Sequence, residues 1–337
     1  MFYLFVRFLC GINGRFFFKE VEVNGLENIP TDGGFLLALN HSNSFLDGVI
    51  CAFTNPIGLH YLTRSDVFAP PWEGILTSLH QVPVYRLRDG ISKLAKNDET
   101  FAKCYRLINE DTGVLIFPEA NTAKTYYLRP ITKGASRLAI NAQLNNQMPM
   151  YILPAGITYV DYNESGHKVF INYGEPIKVS DYLADYEDKP PLTINKLKKE
   201  LSQRIKGQLA IPEEDEHYDR KVKIIQQYGD LCTFDELKKL INEHERVELT
   251  EQEASKSFMH ALFSIPHWPV FYLIKTILGN FEDQQFILSV KFLVGMVSLP
   301  VYWTIIFCVA FYFTGFWISV SIVGLLVLSL LARAQFK

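Results

Sequence analysis

Charge is missing from the end of this chain. From Phe292 to Ala332 there is no Asp, Glu, Lys, Arg or His, a run of 41 residues in a chain of 337. Such a run has no place on the surface of a water-soluble domain. An overall basic excess is also missing. The formal net charge is -3, which argues against nucleic acid as a partner. The chain holds only five cysteines, Cys10, Cys51, Cys104, Cys232 and Cys308, with no C-x-x-C pair. That excludes a disulfide framework and a cysteine zinc site and fits a reducing compartment. No Gly-x-Ser-x-Gly elbow is found, which speaks against a serine hydrolase, although Ser42 and Ser44 lie near His41. Neither an internal repeat nor a low-complexity tract is present.

What is there begins with the uncharged run itself. At 1.5 Å per residue it gives about 60 Å of helix, enough to cross an apolar layer about 30 Å thick twice. Thr314-Gly315 is the natural turn, so spans are expected at about 292–313 and 316–332, with Pro300 kinking the first. Lys291 flanks one end, Arg333 and Lys337 flank the other, and the turn has no positive charge. By the positive-inside rule, both ends and the domain before them face the cytoplasm. The stretch Phe263–Ile274 is apolar but short before Lys275, and reads as an interfacial or re-entrant segment, with a packed surface hairpin as the alternative. Residues 1–19 are aromatic but interrupted by Arg7 and Arg15. They fit a helix lying in the membrane interface better than a cleaved signal, with a packed first helix as the alternative.

Between these ends, short apolar runs alternate with helical patterns. Strands are expected at Phe35–Asn40, Leu59–Arg64, Val82–Arg86, Gly113–Phe117, Met150–Tyr159 and Lys168–Tyr173, with helices near 45–53, 91–109 and 131–144. The alternation predicts an α/β domain over 20–180, with a central mixed, mostly parallel sheet flanked by helices. Residues 181–260 are charged, and 193–209 and 234–247 have helical apolar spacing. They are read as amphipathic helices linking the body to a membrane region at 261–337, with Pro190-Pro191 at the domain edge.

Four segments carry chemistry. In Ala38-Leu-Asn-His-Ser-Asn-Ser-Phe-Leu-Asp-Gly48, an expected strand delivers His41, and Asp47 follows six residues later. Six residues turn a helix by about 240°, so the two side chains meet only if His41 sits in a turn and the helix starts near Ser44. An imidazole oriented by a carboxylate is a general base for a poorly nucleophilic hydroxyl. The plain alternatives are a helix cap for Asp47 and a hydrogen-bonded core histidine for His41. Gly113-Val-Leu-Ile-Phe-Pro-Glu119 is a buried strand running into Pro118 and Glu119, and a carboxylate there needs a partner: a substrate hydroxyl or a basic residue. Val82-Pro-Val-Tyr-Arg86 ends in a guanidinium suited to phosphate, to which Arg64, Arg88, Arg129 and Lys133 are candidate additions. Met150-Tyr-Ile-Leu-Pro-Ala-Gly156 holds Pro154, which implies a bulge or strand end.

Taken in order, Asn40-His41 through Asp47, Pro83–Arg86, Phe117-Pro-Glu119 and Ile152-Leu-Pro154 resemble the four blocks of the glycerolipid acyltransferases, the lysophosphatidate acyltransferase-like superfamily. Lys133–Ala139 is similar to that family's helix after the third block. The resemblance covers about residues 20–180. It implies that His41 deprotonates an acceptor hydroxyl with Asp47 as its partner, and that Arg86 binds the acceptor phosphate. It further implies acceptor binding by Asn43, Pro118, Glu119 and Lys133. The donor would be acyl-CoA or acyl carrier protein, with no metal or other cofactor, and the setting a lipid bilayer. Five residues separate His41 from Asp47 where the common block has four. That longer form resembles the glycerol-3-phosphate and dihydroxyacetone-phosphate acyltransferases of the fungal type. Ala120-Asn121-Thr122 stands where Gly and often Arg are usual, and Thr132 where a base is expected. The readings left open are acylation of glycerol 3-phosphate or a close relative, acylation of a lysophospholipid, and an inactive lipid-binding scaffold.

Overall fold

A computed structural model describes residues 1–85, 96–109, 112–249, 258–279, 281 and 283–335. The chain opens with helix α1 (Phe2–Phe17) and strand β1 (Val21–Asn24). Then follow β2 (Gly34–Leu39), α2 (Phe45–Thr54), β3 (Leu59–Arg64), α3 (Glu73–Ser78) and β4 (Gln81–Val84). After α4 (Lys96–Asn109), β5 (Gly113–Ile116) and α5 (Gly134–Asn145) come β6 (Met150–Tyr159), β7 (Val169–Tyr173) and β8 (Ile177–Lys178). Arg86 and Arg88 lie outside the described residues, as does the start of the helix expected from 91.

The strands form one mixed sheet in the order β1-β7-β6-β2-β5-β3-β4, with β8 pairing β6 from the side. β2 is parallel to both β5 and β6, so the chain leaves all three strands at one edge. Every residue of β2 is buried. Phe35, Leu37 and Leu39 join the core that includes α1 and α2, while Leu36 and Ala38 join the core on the opposite face with α4 and α5. Burial on both faces is why β2, β5 and β6 read as continuous apolar runs.

Pro154 does not end β6, contrary to the expectation from its type. Residues Tyr151 and Ile152 pair with β8, and Ala155–Tyr159 pair with β7. The missing N–H of Pro154 falls where the antiparallel neighbour changes, so no ladder bond is lost. Pro190-Pro191 likewise differs from expectation. The two prolines occupy the first turn of helix α6 (Pro190–Gly207), where an N–H has no helical partner anyway. Leu197, Leu201, Ile205 and Leu209 of this segment are fully buried in the second core. Helices α7 (Tyr218–Tyr228) and α8 (Phe234–Asn242) bury Ile224, Ile225, Leu237 and Ile241 in the first. These helices thus pack on the sheet domain rather than merely connecting it to the hairpin.

The C-terminal part holds α9 (Phe258–Ser264), α10 (Trp268–Leu278), α11 (Ile287–Thr314) and α12 (Phe316–Gln335). Gly315 makes the turn at φ 85°, a conformation that favours glycine. Among the described residues, three helical stretches, Phe258–Leu278, Gln284–Thr314 and Phe316–Gln335, are long and apolar enough to cross a membrane. The first extends the Phe263–Ile274 stretch at both ends. Pro266 and Pro269 stand in first turns, so the helical path continues through them and on past Lys275. α1 lies against the base of the hairpin, with Asn13 Nδ2 donating to Phe292 O at 3.0 Å. Phe2, Phe5 and Phe8 of α1 are exposed, an apolar face toward the surroundings.

A histidine stack ties α1 to β3 and predicts acid sensitivity. His60 lies face to face with His80 at 4.4 Å, and His80 with Tyr3 at 4.0 Å. Burial, then the charges of His80 and Lys103, pushes His60 down from 6.5 to about 4. As pH falls, the unfolded chain takes the proton before the folded one does. Stability from this site is therefore full above about pH 6.5 and drains between pH 6.5 and 4. His60→Phe keeps a ring in the stack and cannot protonate. The thermal midpoint of this variant should fall less steeply than that of wild type between pH 7 and 4.5; parallel curves would remove His60 as the cause.

Candidate active site

The loops that leave β2, β5 and β6 meet at one edge of the sheet, the usual location of a site in such folds. Asn40, at the end of β2, bridges to β6: its Nδ2 donates to Ile157 O at 3.0 Å and its Oδ1 accepts from Ile157 N at 2.7 Å. The chain then turns, and α2 starts at Phe45, after Ser44 at φ 52°. Ser44 makes no side-chain cap on α2.

Asp47 organises this turn from inside the helix. Its side chain is fully buried. Oδ2 accepts from Ser42 N and Asn43 N, both at 2.9 Å, and lies 2.9 Å from His41 Nδ1. Oδ1 accepts from Tyr159 OH at 2.7 Å. Burial first, then the Asp47 charge, drives the Tyr159 phenol well above its ordinary value, so it stays a donor. Asp47 thus accepts from three other donors. A carboxylate only accepts, so the proton of His41 sits on Nδ1 and the lone pair on Nε2. Among the described residues, none hydrogen-bonds Nε2.

His41 is fixed on its other sides as well. Its ring stacks on Phe117 at a centroid distance of 3.8 Å, and its side chain is 17% exposed. Its backbone N–H donates to Glu119 Oε2 at 2.6 Å. Glu119 Oε1 accepts from Arg129 N at 2.7 Å, and Arg129 Nη2 approaches Oε2 at 3.3 Å. Burial pushes the Glu119 carboxyl up, against the opposing pull of the His41 amide and the Arg129 guanidinium. Both its oxygens are engaged by the chain, and they clamp the β5 loop to the His41 turn. Pro118 is buried, and its carbonyl accepts from Thr132 N at 2.8 Å. This brings the start of α5, where Lys133 is exposed, against the third block. Asn43 is buried, with Nδ2 donating to Tyr162 O at 3.4 Å and Oδ1 unpartnered.

Thus His41, Asp47, Glu119, Pro118 and Asn43 come together, Lys133 stands exposed beside them, and Arg86 lies outside the described residues. Arg64 is at the surface, paired with Asp66. Sequence reasoning did not single out Tyr159, the Phe117 stack, or Thr122, whose Oγ1 accepts from Ser44 N at 3.0 Å. It also did not single out Ser289 of α11, whose hydroxyl donates to Asn43 O at 2.9 Å and joins the membrane helix to the His41 turn. Among the described residues, no group of three or more His, Cys, Asp or Glu could hold a metal ion.

Residues 20–158 match the model of the family described as Acyltransferase. Over 125 residues the chain is 29% identical to Glycerol-3-phosphate O-acyltransferase 2 of Saccharomyces cerevisiae, which is 36% of this chain and 16% of that protein. Over 121 residues it is 30% identical to 1-acyl-sn-glycerol-3-phosphate acyltransferase of Bacillus subtilis, which is 35% of this chain and 56% of that protein. A chloroplastic 1-acyl-sn-glycerol-3-phosphate acyltransferase, BAT2 of Brassica napus, is 21% identical over 186 residues, or 55% of this chain and 51% of that protein. The chain therefore spans at most a little over half of these relatives. A solved structure, the 1-acyl-sn-glycerophosphate (LPA) acyltransferase PlsC from Thermotoga maritima, aligns at a TM-score of 0.38 with 19% identity, covering 55% of this chain and 71% of that one.

Proposed function

We propose that this chain, which carries an acyltransferase-family domain at residues 20–158, is a membrane-bound O-acyltransferase that moves a fatty acyl group from a thioester to glycerol 3-phosphate or a close relative. The observation that carries the reading is the His41–Asp47 pair at 2.9 Å with Nε2 left open. Nε2 takes the proton of the acceptor hydroxyl as its oxygen attacks the thioester carbonyl. The imidazolium is stabilised by Asp47. The tetrahedral centre then collapses, the carbon–sulfur bond breaks, and the leaving thiolate takes the proton back from Nε2. Phe117 and the Glu119 clamp hold the ring in place through both steps. The acceptor phosphate is assigned to Arg129 beside Glu119 and Lys133 at the start of α5, with Arg86 as the further cation expected from the sequence.

Acyl-CoA or acyl carrier protein is the expected donor. The catalytic domain is assigned to the cytoplasmic face, with the charged ends of the hairpin. A second reading, acylation of 1-acylglycerol 3-phosphate, is favoured by the Ser289–Asn43 bond, which ties the turn bearing His41 to a membrane helix. The test is an assay of the purified chain with both donors against glycerol 3-phosphate, dihydroxyacetone phosphate and lysophosphatidate. The first reading expects the highest kcat/KM with glycerol 3-phosphate. A preference for lysophosphatidate would select the second, and turnover of none of the three would end both.

A further inference from the structure

We propose that the crevice between α1, α10, α11 and α12 binds one anionic phospholipid of the surrounding leaflet. The inference goes beyond the acyl-transfer reading, because His41, Asp47 and Glu119 are not among the residues lining the crevice. Its volume is about 340 Å³, room for part of an acyl chain. Phe16, Val270, Ile274, Leu299 and Leu330 form apolar walls. Gly295 keeps the space open: a Cβ there would meet only Leu299 Cδ1, at 4.0 Å.

The polar rim sets the headgroup. Lys275, Lys291 and Arg333 face the crevice together with one carboxylate, Glu164. Lys291 is already occupied, donating to Asn163 O at 2.8 Å and Glu164 Oε1 at 3.1 Å. Arg333 is held by its Nε on Ser264 Oγ at 2.9 Å and lies over the Phe271 ring at 4.5 Å. Its terminal nitrogens have no hydrogen bond to the protein among the described residues. Lys275 is exposed and has no ion pair among the described residues. Two cations therefore remain for one phosphate.

The level in the membrane agrees. α10 ends at Leu278, α11 begins at Ile287, and α12 returns antiparallel to end at Gln335, so these three ends lie on one side. Ser289 fixes that side to the sheet domain. A crevice there opens at headgroup height, with its walls running toward the apolar layer. A zwitterionic choline headgroup would bring a cation toward Lys275 and Arg333 and is disfavoured.

The experiment titrates the delipidated full chain in detergent with dioleoylphosphatidylglycerol or dioleoylphosphatidylcholine, reading bound lipid by native mass spectrometry. Wild type should prefer the anionic lipid, and Lys275→Ala should lower its affinity about fivefold, the effect of one interfacial cation. Gly295→Phe should fill the crevice and abolish binding. Circular dichroism and gel filtration verify that both variants fold. Equal affinity for the two lipids, or a loss confined to Gly295→Phe, overturns the phosphate assignment. Binding that survives Gly295→Phe overturns the crevice as the site.

Discussion

His41→Ala should lower kcat for acyl transfer by about 10²–10⁴-fold, the usual contribution of a positioned general base. KM for both substrates should change little, because the base acts on a proton that moves only in the transition state. The fold should tolerate the change. The main-chain N–H of residue 41 keeps its bond to Glu119, since that bond does not involve the ring. Asp47 keeps three donors, from Ser42, Asn43 and Tyr159. The stability loss should be near that of one hydrogen bond, about 1–2 kcal/mol, so a thermal melt separates it from the rate effect. A purified, folded His41→Ala protein that retains a tenth or more of wild-type kcat would remove His41 as the base.

The juxtaposition behind this prediction was half legible in the sequence. The turn at His41 and the helix start near Ser44 follow from spacing, and the structure begins α2 at Phe45. The rest depends on contacts distant in sequence. Tyr159 reaches Asp47 across 112 positions, and Ser289 reaches Asn43 across 246. Tyr159 ends a strand buried at every residue but Tyr151, so its hydroxyl looked like one more buried aromatic. Strands β2, β5 and β6 could be read because both faces are buried. β1 was overlooked: Val21-Glu22-Val23-Asn24 does alternate apolar and polar, but over only four residues. β8 has only two residues. Pro190-Pro191 stands where a helix begins, and composition alone does not separate starting a helix from breaking one.

Asp47 should matter for both folding and rate, and two substitutions divide these effects. Asp47→Leu removes every acceptor from a fully buried position. The N–H groups of Ser42 and Asn43 and the hydroxyl of Tyr159 would then face a hydrocarbon. Leaving several buried donors unmet should cost about 3–5 kcal/mol, enough to lower the thermal midpoint by many degrees. Asp47→Asn has a gentler outcome. With its amide oxygen at the Oδ2 position it still accepts from Ser42 N, Asn43 N and His41 Nδ1. Its NH2 then faces Tyr159 OH, which can rotate to accept. The cost should be about 1–2 kcal/mol. The His41 tautomer is preserved, so what disappears is the negative charge beside the imidazolium. The rate should fall by about 10²-fold or more even though the geometry survives. An Asp47→Leu protein as stable as wild type would show that this carboxylate does not build the turn. A fully active Asp47→Asn protein would show that its charge takes no part in moving the proton.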